Sequence, residues 1–214
     1  MAGSNGVLVA NAPLRWTPRL TALATAADVL LAADGGANHL ARIGLRPAAV
    51  IGDLDSISGV TRAWIGEAVM IERPDQDRTD LDKALEHAFD DLGLEEVTVL
   101  AATGGRVDHD LGNLSLLARL ALGKRLIFVG DAHQLLATRS ELRLESVPGE
   151  TWSFWTYDPA VRVSVAGVRW PIEGTSLDAS RRPSISNQAT AEEIHISASG
   201  GSVIAYREFL TQDR

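Results

Sequence analysis

The sequence of 214 residues contains no cysteine, which excludes disulfides, zinc–thiolate sites and a cysteine nucleophile. It also lacks any apolar run near the roughly 18 residues a membrane-spanning helix needs. Positive charge is not in excess. The formal net charge is −8, whereas a general nucleic-acid binder carries basic patches for phosphate contact. Nucleotides are not excluded, because metal and backbone amides grip them locally. The first six residues, Met1 to Gly6, are small and polar and lack the charged-then-apolar order of a secretory signal. These absences point to a soluble cytoplasmic protein with no membrane and no nucleic-acid partner. What is present is a 45% hydrophobic chain, long enough for one large or two small domains.

Up to about residue 130, apolar runs alternate with helical patterns. Strands are expected at Val7–Ala10, Val29–Ala33, Ala48–Ile51, Val97–Ala101 and Arg125–Val129. Helices are expected over Trp16–Ala27, with Thr17 as cap and Pro18 at its first position, and over Asn38–Ile43, Leu81–Leu92 and Leu111–Leu120. Trp64–Met70 reads as a short amphipathic piece leading into a strand. This alternation implies an α/β domain with a mostly parallel sheet. Beyond residue 131 the runs are short and β-prone, at His133–Thr138, Thr151–Tyr157, Val161–Val165, Ile194–Ser197 and Ser202–Tyr206. The expectation is an α/β domain over 1–131 followed by an all-β sandwich domain over 132–214.

Six aspartates fall between positions 53 and 82: Asp53, Asp55, Asp75, Asp77, Asp80 and Asp82. Two like charges ~4 Å apart repel by roughly 4 kcal/mol near a protein surface, so acids gathered in one place call for a cation. Asp53 and Asp55, two apart after an apolar run, would project to one side of an extended chain. Asp80 and Lys83 would share a helix face. Such a group suits Mg²⁺ and a polyphosphate. Singly, each acid is also a routine cap, and Thr79 with Asp82 has capping spacing.

The loops after strands at Asp34-Gly35-Gly36 and at Gly104 to Asp110 would meet the Asp53 loop at the carboxyl edge of a parallel sheet, where ligands bind. There Arg106 suits a phosphate and His109 a nucleotide contact or proton transfer. Equally, Asp108 caps the helix and His109 is a solvated first-turn residue. Asn113 lies one turn on from His109. In the second half, Trp170 suits either a flat or cationic ligand or a core or interface position. His39, His87, His133 and His195 have no metal-like spacing and read as structural or exposed.

Taken together, DGGAN (34–38), GDLDS (52–56), PDQDRTDLDKAL (74–85), TGGRVDHDLGN (103–113), GVRWPIEG (167–174) and SISN (184–187) resemble, in order, the motifs of the thiamine pyrophosphokinase family. The resemblance covers both halves. It implies transfer of the diphosphate of ATP to the hydroxyl of thiamine, releasing AMP, in a homodimer with active sites at the subunit interface. It further implies Asp53, Asp55 and Asp80 as Mg²⁺ ligands, with Asp34 near them and Lys83 in the catalytic group. Gly35, Gly36, Gln76, Thr79, Gly104, Arg106, Asp108, His109 and Asn113 would serve ATP and the transferred group. Trp170, Ser184, Ser186 and Asn187 would form the thiamine side. A diphosphokinase for another alcohol such as a hydroxymethylpterin, a nucleotide sensor, and a magnesium-dependent phosphohydrolase remain competing readings.

Overall fold

The computed structural model describes residues 5–121 and 123–210. Its contacts divide the chain into one unit of Met1–Asn113 with Lys124–Asp131 and another of Leu114–Gly123 with Ala132–Arg214.

The first unit carries six parallel strands: β1 (Asn5–Val9), β2 (Val29–Ala33), β3 (Ala49–Gly52), β4 (Met70–Glu72), β5 (Glu96–Leu100) and β6 (Arg125–Val129). Their spatial order is β6-β5-β1-β2-β3-β4. The chain runs outward from β1 to β4 on one side, then returns to place β5 on the other flank of β1. The order therefore reverses between β1 and β5, the position at which open parallel sheets bind ligands. The strands are continuous apolar runs because helices cover the sheet. Val7, Val9, Val50 and Leu100 are fully buried with Leu20 and Leu40 from the helices. Each such side chain contributes roughly 1.5–3 kcal/mol by leaving water.

The helices are α1 (Pro18–Thr25), α2 (Gly36–Arg42), α3 (Gly59–Ile65), α4 (Asp80–Glu86) and α5 (Val107–Leu120). The Thr17 side chain accepts the Leu20 N–H at 3.4 Å and Pro18 follows, as expected of that pair. Thr79 caps α4 in the same way, accepting from Asp82 N–H at 3.3 Å. The apolar stripe that predicted one helix to Leu92 is split: α4 passes into a π-helical turn over His87–Asp91. Helix α2 starts at Gly36, two residues before the expected Asn38, because the glycine pair forms its first turn rather than a separate loop. Helix α3 precedes the expected Trp64 start, with Ser58 accepting from Thr61 N–H.

The second unit is antiparallel, with one group of strands ordered β12-β9-β14-β7 and another ordered β11-β10-β13-β8. The first comprises β7 (His133–Thr138), β9 (Thr151–Trp155), β12 (Ser184–Gln188) and β14 (Val203–Glu208). The second comprises β8 (Glu141–Glu145), β10 (Arg162–Ala166), β11 (Ile172–Thr175) and β13 (Glu193–Ser199). β8, β11 and β12 escaped the sequence pattern, because none presents a buried apolar stripe of its own. The fold class is the expected one, a mostly parallel α/β domain followed by an antiparallel β domain. No helix among the described residues is long and apolar enough to cross a membrane.

Candidate active site

A cavity of about 860 Å³ opens at the carboxyl edge of the parallel sheet, lined by the segments that follow β1, β2, β3 and β5 and by the start of α4. That size suits a nucleotide-sized ligand.

Three carboxylates meet there. Ligand oxygens of Asp34, Asp53 and Asp80 lie within 4.8 Å of one another. Asp34 follows β2, Asp53 follows β3 and Asp80 opens α4, so three separate segments each supply one acid. Two backbone features make the meeting possible. Asp34 adopts φ +41, a conformation aspartate tolerates better than most residues. Its N–H donates to Ile51 O at 2.8 Å, tying the turn to β3. Gly52 lies between the acids, and a Cβ there would stand 2.8 Å from Asp34 Cβ and 3.1 Å from the Asp80 carboxyl.

Burial pushes the Asp34 carboxyl above its ordinary range, and the Asp80 charge adds to the shift; hydrogen bonds from Ser56 and the Gly35 amide oppose it. A cation would relieve that repulsion, and an all-oxygen donor set is the kind magnesium takes. The Asp80 Oδ1 accepts from Lys83 Nζ at 3.0 Å and from Asp53 N–H at 3.3 Å. Gln76 Nε2 reaches Asp53 Oδ2 at 3.5 Å.

Asp55 is not in the group. Its expected alignment with Asp53 required an extended chain, but Leu54 has φ +64 and turns the backbone. The Asp55 carboxylate instead accepts the Ser56 hydroxyl at 2.9 Å.

Of the other expected residues, Gln76, Thr79, Lys83, Gly104, Arg106, His109 and Asn113 line the cavity. Asn113 donates to Ala102 O at 2.7 Å, holding the end of β5 to α5. Gly104 N–H donates to the Asp110 carboxylate at 3.2 and 3.1 Å. Arg106 is paired with Asp108 at 2.6 Å, and that hydrogen bond is the main reason the Asp108 carboxyl is held down at about 2. Gly35, Gly36, Asp55 and Asp108 do not line the cavity. Gly36 serves packing: a Cβ would lie 2.0 Å from Val9 O. Only glycine lets α2 begin this close to β1.

Residues overlooked in the sequence also line the cavity: Asn11, Ala12 and Pro13 after β1, with Ser56, Arg78 and Asp110. The signal for the first three was positional, since β1 borders the strand-order reversal. His39, read as structural or exposed, is buried and its Nε2 donates to Ala12 O at 3.0 Å. Arg78 is held by Asp75 at 2.8 Å and Glu86 at 3.0 Å.

Trp170, Ser184, Ser186 and Asn187 belong to the antiparallel unit. Trp170 is 57% exposed, and Ile185 is exposed beside Ser184 and Ser186. The Ser186 N–H donates to Ser153 Oγ at 3.0 Å.

Residues 20–129 match the family model described as thiamin pyrophosphokinase, catalytic domain. Thiamine pyrophosphokinase 2 of Arabidopsis thaliana is 30% identical over an alignment 226 positions long, covering 89% of this chain and 80% of that one. Thiamine pyrophosphokinase of Bacillus subtilis is 34% identical over 113 aligned residues, about half of each chain (51% and 52%). Among solved structures, the Bacillus subtilis thiamine pyrophosphokinase superposes with a TM-score of 0.83 at 24% identity, covering 96% of this chain and 99% of that one. Yeast thiamin pyrophosphokinase gives 0.82 at 18% identity, over 99% and 88%. Both likenesses extend through the antiparallel unit as well as the parallel one.

Proposed function

The chain belongs to the thiamin pyrophosphokinase family, and on that premise we propose how its cavity performs the reaction. The protein is a thiamine diphosphokinase: it transfers the terminal diphosphate of ATP to the hydroxyl of thiamine and releases AMP. The observation that carries the assignment of the centre is the meeting of Asp34, Asp53 and Asp80 beside the buried Lys83.

Asp34, Asp53 and Asp80 would hold Mg²⁺. When bound, the ion neutralises charge on the phosphate oxygens. Lys83 keeps the Asp80 carboxylate in one orientation through their 3.0 Å contact. Gln76, on Asp53 at 3.5 Å, would face the transferred group. The loops of Asn11–Pro13 and Gly104–Arg106 flank the strand-order reversal and receive the nucleotide, with His109 and Asn113 on the first turns of α5. Because the attacked phosphorus needs in-line approach, positioning and charge stabilisation supply most of the catalysis. The thiamine hydroxyl gives up its proton to a carboxylate of the acidic group.

The exposed Trp170 supports a thiamine-binding role for the antiparallel unit, since an indole face attracts a thiazolium cation. Ser184 and Ser186, on β12, flank the exposed Ile185 of the same unit. The active enzyme is a homodimer in which each antiparallel unit serves the partner's catalytic centre.

The test is incubation with Mg-ATP, with and without thiamine, measuring AMP and thiamine diphosphate together. Equimolar, thiamine-dependent appearance of both is expected. AMP without thiamine diphosphate would assign another acceptor or hydrolysis, and bound nucleotide without AMP would leave a sensor.

A further inference from the structure

The segment before Trp170 runs antiparallel to the segment after β12. Val168 bridges Ala189, Thr190 N–H donates to Gly167 O, and Arg169 N–H donates to Gln188 O, both at 2.8 Å. One step further, Trp170 stands opposite Asn187 at a position whose N–H and C=O such a ladder does not bond, and Pro171 brings no N–H to continue it. β12 is also irregular here, with Ser186 at φ +56 and its register against β9 shifting between Ser184 and Asn187.

The Asn187 side chain takes over. Its Oδ1 accepts Trp170 N–H at 3.1 Å and its Nδ2 donates to Trp170 O at 2.8 Å. One carboxamide thus satisfies both the N–H and the C=O of Trp170. The same Oδ1 accepts Gln188 N–H at 2.9 Å. Asn187 is 2% exposed and is itself paired in register with the fully buried Trp152. Trp170 is the reverse case: its indole is largely exposed, with the Arg169 guanidinium 5.0 Å from the ring centroid. An exposed ring has little packing to orient it, so the backbone must.

We infer that Asn187 is a positioning residue that fixes Trp170 as a preformed aromatic platform, rather than a residue that contacts thiamine. The inference rests on the proposed thiamine-side role of Trp170. No other side chain of similar length supplies both the acceptor and the donor: aspartate keeps only the acceptor, and leucine keeps neither.

The test is a double-mutant cycle at Trp170 and Asn187, read as kcat/KM for thiamine at saturating ATP. Asn187→Leu is expected to lower this value by about tenfold, the scale of a lost buried hydrogen-bond pair, while the KM for ATP stays within about twofold. In the Trp170→Ala background the same change is expected to cost less than about twofold, because coupled residues are not additive. A loss that multiplies undiminished in that background would mean direct substrate contact and would overturn the inference. So would Trp170→Ala leaving thiamine kinetics unchanged, or equal shifts in both substrates' KM values. If Asn187→Leu fails to fold, Asn187→Asp carries the same cycle with a smaller first step. Failure of the underlying functional reading shows separately, as a wild-type protein that makes no thiamine diphosphate.

Discussion

Lys83, 2% exposed, donates to Asp80 Oδ1 at 3.0 Å from one turn further along α4, and that same oxygen accepts the Asp53 N–H. One carboxylate oxygen therefore joins a buried ammonium to the strand-following loop that carries a second acid. Asp80→Asn keeps an oxygen for both donors, so the fold should persist. Turnover should fall by about 100-fold or more, as when a charge-stabilising group is removed. Near-normal turnover would remove Asp80 from the mechanism. Lys83→Met leaves Asp80 without its cationic partner and should cost about 1–3 kcal/mol in urea unfolding; an unchanged midpoint would show that solvent and the Asp53 N–H already satisfy Asp80.

The acidic group should trade stability for metal binding. Asp34→Asn removes the charge that burial and Asp80 disfavour. In EDTA at neutral pH, Tm should rise by about 2–4 °C, the equivalent of roughly 1 kcal/mol in a chain of this size. Added Mg²⁺ should raise the wild-type Tm by ligand linkage and raise that of the variant less. Thermal melts with and without Mg²⁺ check both arms, and an equal metal response in the two proteins would place Asp34 outside the cation site.

Gly36 has no room for a side chain, with Val9 O 2.0 Å from where a Cβ would sit. Gly36→Ala must push α2 off β1, and overpacking of this kind costs about 1–3 kcal/mol. The rearrangement would also move Asp34, two residues earlier. A loss of both stability and activity is expected, measured by denaturant unfolding and turnover; wild-type behaviour would contradict the packing described.

His39 should give a pH window. Burial is the main cause lowering its affinity for a proton, and Arg42 adds to it, from the ordinary value of 6.5. Its Nε2 must carry hydrogen to donate to Ala12 O, and its buried Nδ1 has no hydrogen-bond partner. Above 6.5 both folded and unfolded chains hold it neutral. As pH falls below 6.5 the unfolded chain takes up the proton first, so stability falls until the depressed folded value is passed. Unfolding midpoints from pH 8 to pH 5 should decline more in the wild type than in His39→Gln, whose amide can still donate to Ala12 O. Parallel declines would assign the pH dependence elsewhere.

The sequence by itself determined the alternation of strand and helix, the Thr17 and Thr79 caps, the sheet edge at which the cavity opens and the family resemblance. These are legible because apolar periodicity and capping depend on residues within a turn or two of each other. Strands β8, β11 and β12 were not legible: β8 offers only Leu142 and Leu144 between charged residues, and β11 and β12 carry no apolar alternation. Tertiary structure alone decided which acids meet. Asp55 lies two residues from Asp53 yet leaves the group, because one positive φ at Leu54 redirects the chain. Asp34 lies nineteen positions before Asp53 yet joins it, because β2 and β3 are adjacent and Gly52 leaves space. The Asn11–Pro13 loop lines the cavity because β5 returns to the flank of β1. Asn187, which the motif assigned to the substrate, spends its carboxamide on the Trp170 backbone. Strand order and single backbone torsions set these outcomes, and neither is a property of neighbouring residues' hydrophobicity.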